Sequence, residues 1–120
     1  MSSYLTIKGR LKDSDKLVDI VAFDSYSNFY STFVDYFPSS ELAELNSISS
    51  ILEDINQSIK KTNNRINAYE KVETPECIEE TLSLKEYLEE LIEAKHYLEF
   101  LDFIIQDCKY SSFSKIYYSL

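Results

Sequence analysis

Hydrophobic positions along this chain change period from one segment to the next, and each period predicts an element. Between Tyr4 and Leu11, residues Leu5, Ile7 and Leu11 share one face at a spacing of two. Lys12-Asp13-Ser14-Asp15 is turn chemistry, and Leu17 to Phe23 is apolar and β-branched. Together these predict an antiparallel β-hairpin. The spacing then switches. Tyr26, Phe29, Tyr30, Phe33, Val34 and Phe37 mark one face of a short helix, with Asp24 or Ser25 as its cap and Pro38 after its end.

The middle of the chain carries a heptad seam. Leu45, Ile48, Leu52, Ile55, Ile59, Thr62, Ile66 and Tyr69 recur by alternating steps of three and four. Ser50-Ile51-Leu52-Glu53 has capping-box spacing, so a restart there after a turn at Glu41–Leu45 is also consistent with the pattern. Thr74-Pro75 then opens a second long helix, with Thr74 as N-cap, proline at the first helical position and Glu76, Glu79 and Glu80 in the opening turns. Its seam runs through Leu84, Tyr87, Leu91, Ala94, Leu98, Leu101, Ile105 and Cys108. Ile116, Tyr118 and Leu120 alternate with polar and tyrosine positions, which predicts a closing strand.

A short link between two such helices makes them antiparallel neighbours. The expected fold is therefore α+β, mostly α: a small antiparallel sheet head (the N-terminal hairpin plus the C-terminal strand) with a long antiparallel helical hairpin. At 120 residues this fits a single domain over 1–120. Its parts would be a β-hairpin and short helix at 1–38, helix one at 39–73, helix two at 74–109 and a strand at 110–120.

On the second helix, the side opposite the seam changes character. Glu79, Glu86, Glu89, Glu90 and Glu93 form an acidic ridge, and further along the same side carries His96, Tyr97, Phe100, Phe103 and Ile104. A solvated, solubilising face is the ordinary account of the ridge; the functional one is a surface that engages a partner's basic groove. For Tyr97, Phe100, Phe103 and Ile104 the alternatives are burial in the head or an interface between subunits. Lys60, Lys61, Arg65 and Lys71 on the first helix are candidates to pair across with the carboxylates.

Charge sharpens the picture. The chain carries a net −9, and residues 74–109 hold ten Asp/Glu against three Lys/Arg. That concentration disfavours direct binding to nucleic acid. No apolar run approaches the roughly 20 residues of a membrane span, and no signal peptide is visible at the N-terminus. A cytoplasmic location is expected. Cys77 and Cys108 near opposite ends of one helix would lie about 45 Å apart at 1.5 Å per residue, beyond disulfide reach. Reduced cysteines suit that compartment.

Catalytic parts are missing from the pattern. There is one His, one Gly and no phosphate loop or nucleophile elbow. Glu93-Ala94-Lys95-His96 has the spacing of a di-metal carboxylate motif, but such sites need two copies and further inward glutamates. No catalytic residue, cofactor or metal is assigned, and no enzyme is expected. Tyr26, Tyr30, Tyr36, Tyr110, Tyr117 and Tyr118 would gather in the head, as core residues or as a platform for a small nucleotide.

The reading that follows is a non-catalytic protein-binding inhibitor or regulator, acting as a homo-oligomer that occupies a partner's surface. In size, acidity and composition the chain is similar in style to phage-encoded antagonists of host defence, anti-CRISPR proteins among them, although no specific residues carry that similarity. The alternatives are a structural coiled-coil adaptor or an oligomeric small-nucleotide sponge.

Overall fold

The computed structural model describes residues 3–46 and 48–120, with side chains described for all of these except 109–111. In order, the elements are β1 (Tyr4–Leu11), β2 (Leu17–Asp24), α1 (Asn28–Tyr36), β3 (Ala43–Glu44), α2 (Ser49–Glu70), α3 (Pro75–Ser111) and β4 (Phe113–Ser119). The class is α+β, mostly α: a four-stranded antiparallel sheet in the order β2-β1-β4-β3 and a long helix pair. The chain forms two compact units, one of residues 1–49 with 97–120 and one of residues 50–96.

In the first unit, β1 and β2 pair as the alternation predicts. Their turn closes through Leu11 N–H on Lys16 O at 2.9 Å and Asp15 N–H on Leu11 O at 3.0 Å. Asp15 takes a left-handed φ of 57°, a conformation that Asp tolerates better than most residues. The register shifts after Ile7, so that Ile7 faces Val21 while Lys8 faces Asp19, and Ile20 is the extra residue of a bulge. The shift keeps Val21 and Val18 on the side of Ile7 and Gly9. Leu5, Ile7, Ile116 and Tyr118 are all buried on this inner face. Gly9 is buried there too, with the Phe113 ring lying where a Cβ would stand.

Helix α1 is capped by Ser27, whose hydroxyl accepts Phe29 N–H at 3.2 Å; Asp24 instead accepts Tyr26 N–H at 2.9 Å, within the turn before the cap. Tyr26 consequently lies outside the helix and is 94% exposed, and Val34 is exposed as well. Of the six residues expected on the apolar face, Phe33 is fully buried and Phe29, Tyr30 and Phe37 are half-buried. Phe33 stacks on Phe37 with centroids 4.0 Å apart and meets Tyr118 edge-on at 4.9 Å. The Tyr118 hydroxyl donates to Pro38 O at 2.9 Å, so a phenol reaches into this core with its polar end satisfied.

Residues 39–48 correct the expected first long helix. The described ones, 39–46 and 48, are not helical: Ser40 exchanges backbone hydrogen bonds with Leu120 at 3.1 and 2.8 Å, Ala43 and Glu44 pair with Tyr118 and Tyr117, and Leu45 N–H donates to Ile116 O at 2.8 Å. The open edge of β4 offers this segment backbone partners, which outweighs a heptad phase that Leu45 and Ile48 match by spacing alone. Both are buried in the first unit, with Leu98, Leu101 and Ile105 from the C-terminal part of α3. Helix α2 starts at Ser49, one residue before the capping-box position.

The second unit is a helical hairpin of α2 and the first part of α3. Ile55, Thr62 and Ile66 of α2 are buried, as are Thr81, Leu84, Leu91 and Ala94 of α3. Tyr87, expected in the seam, is 47% exposed, and half-buried Leu88 holds that step of the stripe instead. From Thr81 and Leu84, steps of four and three lead to Leu88 and Leu91, which keeps one face where Tyr87 would leave it. Thr74 caps α3 through its hydroxyl on Cys77 N–H at 3.2 Å, as predicted. The two buried threonines spend their hydroxyls on the preceding turn, Thr62 on Ser58 O at 2.7 Å and Thr81 on Cys77 O at 2.8 Å. Replacing Thr62 with Val exchanges that hydrogen bond for a buried methyl and leaves Ser58 O its helical partner. Urea denaturation of Thr62→Val should show a gain of up to about 1 kcal/mol.

Candidate protein-interaction surfaces

The outward residues of each unit offer a different chemistry. In the first unit, α3 carries Tyr97, Phe100, Phe103 and Ile104, and the first two of these meet α1. Tyr97 is half-buried; its hydroxyl accepts from Asn28 Nδ2 at 2.9 Å and its ring meets the edge of Phe29 at 4.7 Å. Phe29 stacks in turn on Phe23 at 4.6 Å and lies 5.6 Å from Phe100. The cluster thus ties helix to strand from within. Its outer members are not covered: Phe100 is 52% exposed and Phe103, one turn on, 69%, while Ile104 is half-buried. Between them, Asp102 has a buried Oδ1 with no hydrogen-bond partner among the described residues.

The described tyrosines of this unit occupy different settings. Tyr117 and Tyr118 alternate across β4, so Tyr118 enters the core and Tyr117 lies on the other face beneath the Arg10 guanidinium, 5.4 Å from its ring centre. Tyr26 stands alone in solvent and Tyr36 lies on α1; the Tyr110 side chain falls outside the described residues. Lys8 pairs across the outer face with Asp19 at 3.1 Å.

In the second unit, Glu79, Glu86, Glu89, Glu90 and Glu93 are all exposed along α3. The cross-hairpin ion pairs bypass them. Arg65 pairs with Glu80 at 3.4 Å, and Lys85 of α3 reaches back to Glu70 at 3.0 Å. Lys60, Lys61 and Lys71 form no ion pair among the described residues. Both pairs are about half-exposed, so each contributes at most about 1 kcal/mol and leaves the ridge unneutralised.

Beside the ridge is a feature that the seam analysis passed over. Val72, Ile78 and Leu82 are 47%, 57% and 60% exposed, and they border a groove of ≈ 230 Å³ at the turn end of the hairpin. Ile92, further along α3 beyond Lys85, Glu86 and Glu89, is exposed as well. A wheel centred on the outer side would have revealed it, since Ile78 and Leu82 are spaced i, i+4. His96 is exposed, and among the described residues no group of three or more His, Cys, Asp or Glu is placed to hold a metal ion. Cys108 is half-buried, which holds its thiol pKa above the usual range, with the neighbouring Asp107 charge acting in the same sense.

These features define a helical hairpin and an antiparallel-sheet unit with helices, with exposed aromatic, apolar and acidic surfaces. Among the described residues, no helix is long and apolar enough to cross a membrane. Comparison with protein-family models, with curated proteins and with solved structures found no match to this chain.

Proposed function

We propose that this chain is a non-catalytic inhibitor or regulator that occupies a partner protein's surface and works as a homo-oligomer. The observation that carries the reading is the pair Phe100 and Phe103, 52% and 69% exposed one turn apart on a helix whose Leu98, Leu101 and Ile105 are fully buried. Large aromatic rings lose most by standing in water, and adjacent exposed rings are favoured anchors of an interface. On the same helix, Tyr97 is anchored by Asn28 and Phe29, and Phe29 also lies 5.6 Å from Phe100, so the Phe100 end of the pair stands beside a preorganised cluster. The carboxylates of Glu79, Glu86, Glu89, Glu90 and Glu93 supply charge for steering a basic partner. Antagonists of host defence encoded by phages are a setting that this small acidic design suits.

Light scattering tests the assembly. At tens of micromolar, the wild-type mass should be a multiple of 14.0 kDa, and Phe100→Ser with Phe103→Ser should return it to 14.0 kDa. A wild-type monomer would remove the oligomer from the reading. Reversing Glu79, Glu86, Glu89 and Glu93 to Lys should weaken capture of the partner from native host extract by at least about tenfold. Unchanged capture would take the ridge out of the mechanism.

A further inference from the structure

We infer that the turn end of the helical hairpin is a docking groove for a basic amphipathic helix of a partner protein. One apolar side chain of that helix seats between Val72, Ile78 and Leu82, and its Lys or Arg residues face Glu73, Glu79 and Glu86. The inference deepens the proposed protein-binding role and does not depend on the assembly through Phe100 and Phe103.

The groove's chemistry selects its occupant. Its volume of ≈ 230 Å³ accommodates side chains, not a folded domain. Its wall is built from exposed Val72, Ile78 and Leu82. Its buried polar residue, Thr81, already donates its hydroxyl to Cys77 O at 2.8 Å, so it has no donor left for a polar ligand. At the wall formed by Val72, Ile78 and Leu82, an apolar side chain is the complement. The lining also contains Lys85, which Glu70 holds at 3.0 Å, while Glu73 stays exposed at the rim.

On α3, Glu79 precedes Leu82 by three positions and Glu86 follows it by four, so both carboxylates stand one turn from the apolar contact. Both are exposed, and neither takes part in an ion pair among the described residues. Apolar anchors at helical spacing with flanking carboxylates are the complement of a helix with an apolar stripe and basic flanks. Phosphate backbones are repelled by the same carboxylates. A second copy of this hairpin would bring Glu79 and Glu86 against their own kind, so it is disfavoured as the occupant.

The probe is a labelled synthetic peptide of about 18 residues, some five helical turns, with Leu at i, i+4 and i+7 and Lys or Arg on both flanks. Fluorescence anisotropy with the full chain should give micromolar binding that weakens as salt rises. Leu82→Asp should weaken it at least about tenfold, and Glu79→Lys with Glu86→Lys should weaken it and flatten the salt dependence. Leu82 is exposed, so circular dichroism should confirm that this variant keeps its helices.

Several results would overturn the inference: no binding, Leu82→Asp within twofold of wild type, or equal binding of a peptide with the same composition and scrambled Leu spacing. So would a drop in molar mass on Leu82→Asp, because a second copy would then cover the groove. If the Phe100 and Phe103 substitutions abolish the oligomer while peptide binding persists, docking and assembly are separate properties, as inferred. If the peptide fails while the oligomer and partner capture persist, the groove assignment alone is lost.

Discussion

Phe33→Ala should cost about 3–5 kcal/mol, the range for emptying an aromatic site in a packed core. Phe33 is fully buried, stacked on Phe37 at 4.0 Å and edge-on to Tyr118 at 4.9 Å, so its ring joins α1, the segment after it and β4. Its neighbours are poorly placed to fill the gap. Phe37 is fixed by a backbone bond from its N–H to Phe33 O at 2.9 Å, and Tyr118 by its hydroxyl on Pro38 O at 2.9 Å. Collapse would break one of these. Urea denaturation followed by tyrosine fluorescence measures the loss, and a value below about 1 kcal/mol would mean that α1 is not packed on the sheet through this ring.

Gly9→Ala should be the second most damaging of the changes considered, at about 1–3 kcal/mol for forcing extra volume into a packed site. An added Cβ would stand 2.7 Å from two atoms of the Phe113 ring, closer than real contacts allow. Gly9 sits on the central strand β1, opposite Ile116 and Val18, so its backbone cannot retreat without loosening two ladders. The ring must move instead. Phe113 lies at the register shift where β4 begins, opposite Leu11, and covers the gap left by the missing side chain. A double-mutant cycle separates this from glycine's backbone effects. In a Phe113→Ala background, Gly9→Ala should become nearly neutral, with a coupling of at least about 1 kcal/mol. An additive cycle would show that Phe113 does not pack over Gly9.

Much of the sheet-unit aromatic packing was not legible in the chain, although the elements themselves were. The Tyr4–Leu11 and Leu17–Asp24 strands, the short helix before Pro38 and both long helices follow from local spacing, because side-chain periods of two and of three to four are properties of the backbone itself. The candidate surfaces were legible to the same degree. The helical period along α3 identified the outward carboxylates, and Phe100 and Phe103 as outward rings. It did not separate those two from Tyr97, which is anchored by Asn28, a residue 69 positions away. Nor did it show that Arg65 pairs with Glu80 and not with a ridge carboxylate.

The amino-acid order by itself determined the helices from about Ser49 and from Pro75, the Thr74 cap, the β1–β2 hairpin and the one-sided concentration of negative charge. Each depends on residues within a turn or two of one another. Tertiary structure decided what distant partners decide. Ala43 and Glu44 are a strand only because Tyr118 and Tyr117 offer them an edge, Leu45 and Ile48 leave a heptad phase for the sheet unit, and Ile20 becomes a bulge to keep Val18 inward. The same holds for the groove beside Leu82, which exists because α2 ends at Glu70 and α3 begins at Pro75, bringing Tyr69 and Val72 to Ile78. A backbone group or apolar side chain takes whichever partner removes it from water at least cost, and local spacing does not reveal a partner that arrives from elsewhere in the chain.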